Sequence, residues 1–331
     1  MKTLIQTLTQ VPGPSGYEHE IRAAVEKEIA AHADDYRVDA LGNLIARKGS
    51  ANASGLKIML SAHMDEIGVI ASHIDENGFV RFTNIGGVYP RNCVGGHVRF
   101  MNGTRGVIGL ERVTNSSEVP PLEKMYIDTG AASRETCTVS VGDVAVFERT
   151  FLDLGDRLVS KAMDDRISVA ILVETLRRLK NTPHQVYFVF STQEEIGTRG
   201  AATAAYGVNP DIGLAVDVTL SGDTPKGIKM EVHLGKGPAI KVRDGGMLAD
   251  PRVVDWMVCT AEAAGLPYQR EVLLGGTTDA RSIQVARAGV PAGCLSVPCR
   301  YVHTPSEMVD YRDVQHSVDL LLALLENPVT L

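Results

Sequence analysis

From Leu158 onward the chain alternates helical and extended periodicity, and this constrains the fold more than any other feature. A helical stretch at 166–180 precedes the apolar strand YFVFS (187–191), a helix near 199–206 and the strand IGLAVDV (212–218). The pattern resumes with a helix at 251–264, an extended stretch to Leu274 and a helix after Asp279. A strand at 290–296 and an amphipathic helix at 312–325 complete it. Strands separated by helices predict a parallel-rich sheet covered by helices. Nearer the N-terminus, Ile21, Ala24, Val25, Glu28 and Ile29 follow helical spacing, and Ser15 with Glu18 reads as a capping box. This predicts a helix over 17–32. Tyr36 to Arg47 reads as a hairpin turning at Leu41-Gly42-Asn43, and LKIMLS (56–61) as a buried strand leading to His63. Between 67 and 155 the text changes to glycine-dense short β runs such as GFVRFTNIGGV, GGHVRF and GDVAVFE. That is the pattern of a small all-β module. The expectation is an α/β fold with a mixed, largely parallel sheet flanked by helices. It is formed by 1–66 and 156–331 and interrupted by a β-barrel-like insert at 67–155.

A chain of 331 residues with 44% hydrophobic content exceeds the size at which one core usually stops growing, so two domains are expected. Thirty-three Lys and Arg face 40 Asp and Glu, a net charge of -7 without long blocks of one sign. Such a surface repels nucleic acid phosphates and anionic membranes, so neither is an expected partner. The five cysteines are odd in number and form no CxxC pair, which reads as reduced thiols, mostly in the core. The N-terminus lacks the apolar run of a signal peptide, and no stretch approaches the ~18 apolar residues of a membrane span. A cytoplasmic location is expected.

Five segments put metal-type ligands where a strand ends, the place where open α/β sheets bind ligands. They are Ala62-His63-Met64-Asp65, Ala162-Met163-Asp164-Asp165, Gln193-Glu194-Glu195, Val216-Asp217-Val218 and Tyr301-Val302-His303. His63 and Asp65 lie two apart, so on extended backbone the carboxylate would orient the imidazole, as a metal-bound histidine requires. Asp217 ends an apolar strand, where a carboxylate is costly unless it is paired or bound to a cation. A metal site built from such ligands would suit a peptidase, a phosphatase or a deacylase, although no phosphate-binding glycine loop is seen. The stretch GGTTDA (275–280) reads as a substrate or oxyanion loop at a helix start.

SAHMDEIGV, SKAMDDRISVA, STQEEIGTRGA, LAVDVTLSGD, GGTTDA and YVHTPSEMVD together resemble the tetrahedral (TET) aminopeptidases. That metallopeptidase family includes the glutamyl aminopeptidases and the so-called cellulase M proteins. The resemblance runs through the whole chain in order. It departs at Ile167-Ser168, where many members carry Ala-Gly, and at Leu220, where a polar residue is frequent. It implies that His63, Asp164 and Asp217 bind one divalent ion and that Asp164, Glu195 and His303 bind a second, with Asp164 bridging. Zn is the first expectation, with Co and Mn as alternatives, because mixed oxygen and nitrogen ligands suit these ions. It also implies Glu194 as general base and acid, Asp65 as the support of His63, and a cis Asp164-Asp165 peptide that makes Asp165 the poorer ligand. A hydroxide shared by ions about 3.5–4 Å apart would attack the peptide bond. The substrates would be peptides with a free N-terminus. The β insert would mediate dimer contacts, and the dimers would build a tetrahedral dodecamer. A deacylase and a metal-independent glycoside hydrolase are the competing readings.

Overall fold

In the computed structural model, residues 1–49, 55–112, 119–329 and 331 are described; residues 113–118 of the expected β insert lie outside the described residues. The N-terminal part supplies helices α1 (Lys2–Gln10) and α2 (His19–Ile29) and strands β1 (Asp35–Val38), β2 (Leu44–Lys48) and β3 (Lys57–His63). Next come β4 (Gly68–Ile74), β5 (Val80–Ile85), β6 (His97–Phe100), β7 (Arg105–Leu110), β8 (Met125–Asp128) and β9 (Val144–Glu148). The chain returns through β10 (Leu152–Asp153) and β11 (Arg157–Ser160) and then alternates. It runs through α3 (Met163–Arg178), β12 (Gln185–Ser191), α4 (Arg199–Val208), β13 (Ile212–Thr219), β14 (Ala239–Arg243) and α5 (Pro251–Ala263). It ends with β15 (Gln269–Val272), α6 (Asp279–Gln284), β16 (Ala292–Arg300), β17 (Glu307–Asp310) and α7 (Tyr311–Glu326).

An eleven-stranded mixed sheet runs in the order β1-β2-β12-β3-β13-β16-β17-β11-β10, with β14 and β15 branching from β16. Its central strands β12, β3, β13 and β16 are parallel. Antiparallel pairs extend both margins. The central strands read as continuous apolar runs because both of their faces are covered. Ile58, Leu60 and Ala62 of β3 join the larger core, whereas Met59 between them joins the smaller one. The larger core packs the sheet against α1, α2, α3, α5 and α7, and the smaller packs it against α4 and α6.

The strands β4-β5-β8-β7-β6-β9 close into a separate barrel around Val69, Phe82, Val98, Phe100, Ile127 and Phe147. Closure leaves no unpaired edge in this small module. The mixed helix-flanked sheet and the barrel are the two architectures expected from the periodicity.

Local departures include β14 and β17, which were not expected, and several features of the N-terminal part. Helix α1 was not anticipated; it buries Leu4, Ile5 and Leu8 in too short a run for its period to be distinctive. The capping box does not form. Glu18 is the N-cap of α2 without a side-chain cap bond, and Ser15 Oγ instead donates to Asp65 Oδ2 at 2.6 Å. A buried carboxylate competes better for that hydroxyl than a solvated helix end does. All five cysteines are free thiols; Cys93, Cys294 and Cys299 are buried, Cys137 is half-buried and Cys259 is exposed. No helix among the described residues is long and apolar enough to cross a membrane.

Candidate metal centre

The carboxyl ends of the parallel strands deliver the acidic and histidine side chains to one place. His63 ends β3, Gln193–Glu195 follows β12, Asp217 lies near the end of β13 and His303 follows β16. Asp164 and Asp165 enter from the first turn of α3, where their backbone is not helical and the peptide between them is cis. Gln193, Tyr301 and His303 all take positive φ, so the turns carrying Glu194, Glu195 and the His303 imidazole double back sharply toward the strand ends.

Asp164 stands between the two imidazoles. Its Oδ1 lies 3.0 Å from His63 Nε2 and its Oδ2 lies 3.4 Å from His303 Nε2. Glu195 Oε2 approaches the same His303 nitrogen to 3.3 Å. Donor atoms of His63, Asp164 and Glu195 lie within 4.8 Å of one another, and so do those of His63, Asp165 and Asp217. The residues singled out in the sequence therefore converge, and Asp165, set aside there as the poorer ligand, is drawn in with them. Its Oδ2 accepts the His63 main-chain N–H at 3.3 Å.

Asp65 does more than support His63. The His63 Nδ1 lies 3.0 Å from the Asp65 main-chain oxygen and 3.4 Å from its Oδ1. Because β3 ends at His63, the two residues do not share one extended face, and the carbonyl is the nearer acceptor. The Asp65 carboxylate instead accepts the N–H groups of Glu194 (2.9 Å) and Glu195 (3.2 Å), which fixes the turn that carries them.

Glu307 escaped the sequence reading. Its Oε2 accepts the Asp164 N–H at 2.9 Å and its Oε1 accepts the His303 N–H at 2.7 Å, so one buried carboxylate aligns both backbones. Asp279 was seen only as part of GGTTDA; it accepts the hydroxyls of Ser61 and Ser191 at the ends of neighbouring strands. The barrel also reaches the centre. A Cβ on Gly87 would come within 2.3 Å of His303 Nδ1, and the Tyr89 ring centroid lies 6.3 Å from that of His303.

Buried acid here exceeds its counter-charge. Burial, reinforced by neighbouring carboxylates, pushes Glu194, Asp217 and Asp165 well above the usual carboxylate range. Burial opposes protonation of His303, but Asp164 and Glu195 outweigh it and push its pKa up to about 12. His63 rises for the same kind of reason, with Asp164 and Asp65 as its partners. Glu195 Oε1 is buried without a hydrogen-bond partner among the described residues. An array of this kind asks for added positive charge, and its oxygen and nitrogen donors suit divalent ions of the Zn, Co and Mn type. The centre opens into a cavity of about 590 Å³ whose lining includes no cysteine. A hollow of about 700 Å³ bordered by α5 and α7 shares no residue with it.

A family described as M42 glutamyl aminopeptidase matches residues 42–320. A relative from Acetivibrio thermocellus is 45% identical over 97% of both chains. The structure is similar to that of the aminopeptidase APDkam598 from Desulfurococcus kamchatkensis, with a TM-score of 0.94 and 41% identity over 99% of this chain and 94% of that one. It is also similar to the Pyrococcus horikoshii TET1 peptidase, with a TM-score of 0.89 and 33% identity over 98% of each chain. That peptidase is described as able to assemble into a tetrahedron or a large octahedral shell.

Proposed function

The chain belongs to the M42 glutamyl aminopeptidase family, and from that premise we propose that it is a cytoplasmic aminopeptidase that removes N-terminal residues from peptides with the help of two divalent ions. The observation that carries this reading is Asp164 between two imidazoles, one carboxylate oxygen turned to each. His63, Asp164 and Asp217 would hold one ion, and Asp164, Glu195 and His303 the other. Zn fits this donor set best, and Co or Mn would also be accepted. When bound, such ions supply Lewis acidity that acidifies a water and polarises the substrate carbonyl.

The chain's own residues do the rest. Glu194 Oε2 lies 4.0 Å from His63 Nε2, and the Asp65 bond to its main chain holds it beside the cluster. Burial and the adjacent Asp217 and Glu195 raise its affinity for a proton. A carboxylate so placed can take a proton from water and return it to the leaving amine. The free ammonium of the substrate would sit between Glu194 and Asp217, since desolvating it without acidic partners is costly. The barrel would serve assembly into a closed homo-oligomer, and the exposed Val94, Val107, Val119 and Val141 of that module support this.

The test compares leucine p-nitroanilide with its N-acetyl form. Acetylation removes the charge that Glu194 and Asp217 would pair with, so kcat/KM should fall on the order of a thousandfold. Preference for the acetylated compound would establish a deacylase instead.

A further inference from the structure

Beyond the acid cluster, the cavity wall is built by Val218, Thr219 and Leu220 at the end of β13, by Lys241 of β14 and by Leu273 after β15. Lys241 is the one Lys or Arg in this wall. It is only 1% exposed, and its Nζ lies 2.8 Å from Glu271 Oε1 on the neighbouring strand β15. Thr219 Oγ1 donates to the same oxygen at 2.5 Å. Glu271 Oε2 is buried and has no hydrogen-bond partner among the described residues. Burial works against the Lys241 charge, but Glu271 more than offsets it. Lys241 lines the same cavity as Glu194 and Asp217, the residues of the proposed ammonium site, with Glu271 directly behind it.

A charge this deep needs a partner, and Glu271 supplies it, so the wall carries no net charge. An acidic side chain entering here would find the ammonium already committed. A basic one would meet a second cation beside Lys241 and lose its hydration. A neutral side chain meets Val218, Leu220 and Leu273.

Resting on the aminopeptidase reading, we infer that the Lys241–Glu271 pair selects a neutral, chiefly aliphatic first residue, with Glu271 masking a cation that would otherwise draw acidic substrates. The two partners then have opposite effects when removed. Glu271→Gln unmasks a cation and Lys241→Met unmasks an anion.

The experiment measures kcat/KM of the metal-loaded enzyme on the p-nitroanilides of leucine, methionine, glutamate and lysine. The wild type should favour leucine and methionine over glutamate and lysine by about tenfold or more. Glu271→Gln should raise the glutamate-to-leucine ratio by about tenfold, and Lys241→Met should raise the lysine-to-leucine ratio similarly. Ratios within one variant cancel any general damage to the centre, and either variant suffices if the other fails to fold. A wild-type preference for lysine or glutamate, or ratios unchanged in the variants that fold, would overturn the inference while leaving an aminopeptidase. Inactivity toward all four amides would overturn the aminopeptidase reading and this inference with it.

Discussion

Asp164 faces both imidazoles, so its loss should cost more than that of any other ligand. Asp164→Ala is expected to bind neither ion, whereas His63→Ala should mainly weaken one; metal analysis after dialysis distinguishes the two. Glu194→Gln should retain both ions and lose a factor of about 10²–10⁴ in kcat, because it deletes a proton carrier and not a ligand. Loss of an ion in that variant would exchange the roles of Glu194 and Glu195. Glu307→Ala leaves the N–H groups of Asp164 and His303 without their acceptor, each worth about 1–3 kcal/mol. Ion affinity measured by calorimetry should fall about 10–100-fold. In the sequence the histidines and acids at strand ends were each weak signals; burial cost pointed to Asp217, and the resemblance to the TET aminopeptidases joined the others to it. Glu307 was not, since it works through main-chain N–H groups that only a folded backbone with His303 at φ 62° brings together. Asp65 was legible as a supporter of His63, but its hold on the Glu194–Glu195 turn depends on the bend after β3.

Among the elements, the segment after β5 makes the most specific claim. Gly87 packs against His303, and a methyl there would collide with the imidazole. Gly87→Ala should therefore weaken the ion held with Glu195 while the circular dichroism spectrum stays unchanged. The segment between β13 and β14 is pinned by Asp223, which accepts Arg300 Nε at 2.8 Å and Nη2 at 2.9 Å. Burial opposes ionisation of Asp223, but Arg300, Ser221 and the Leu234 N–H together hold its carboxyl below the usual range. A folded-state pKa below the unfolded value of about 3.9 gives stability that is present above that value and lost as pH falls through the lower one. Asp223→Asn should thus lower Tm at pH 7, and the difference from wild type should shrink below about pH 4. Period alone marked most helices and strands after Leu158, since long amphipathic runs declare themselves. It could not show that Ser15 would be drawn from its helix cap to Asp65, because that contest joins residues fifty apart in the chain.

At the scale of the whole molecule, the sheet and the barrel divide the work. The sheet carries the acid cluster, and the barrel reaches it through Gly86, Gly87 and Tyr89 while exposing valines elsewhere. A closed oligomer built through that barrel predicts a mass many times that of one chain by light scattering at micromolar concentration; a monomer would refute it. The barrel's strands were legible as short β runs, but their order β4-β5-β8-β7-β6-β9 was not, because it depends on pairings between distant segments. The proposed chemistry depends on two divalent ions held by the acid cluster. The most direct test strips the protein of metal, adds Zn back in measured equivalents and follows hydrolysis of leucine p-nitroanilide. Activity should be absent from the stripped protein and saturate at two ions per chain; full activity after exhaustive removal, or saturation at one ion, would contradict it.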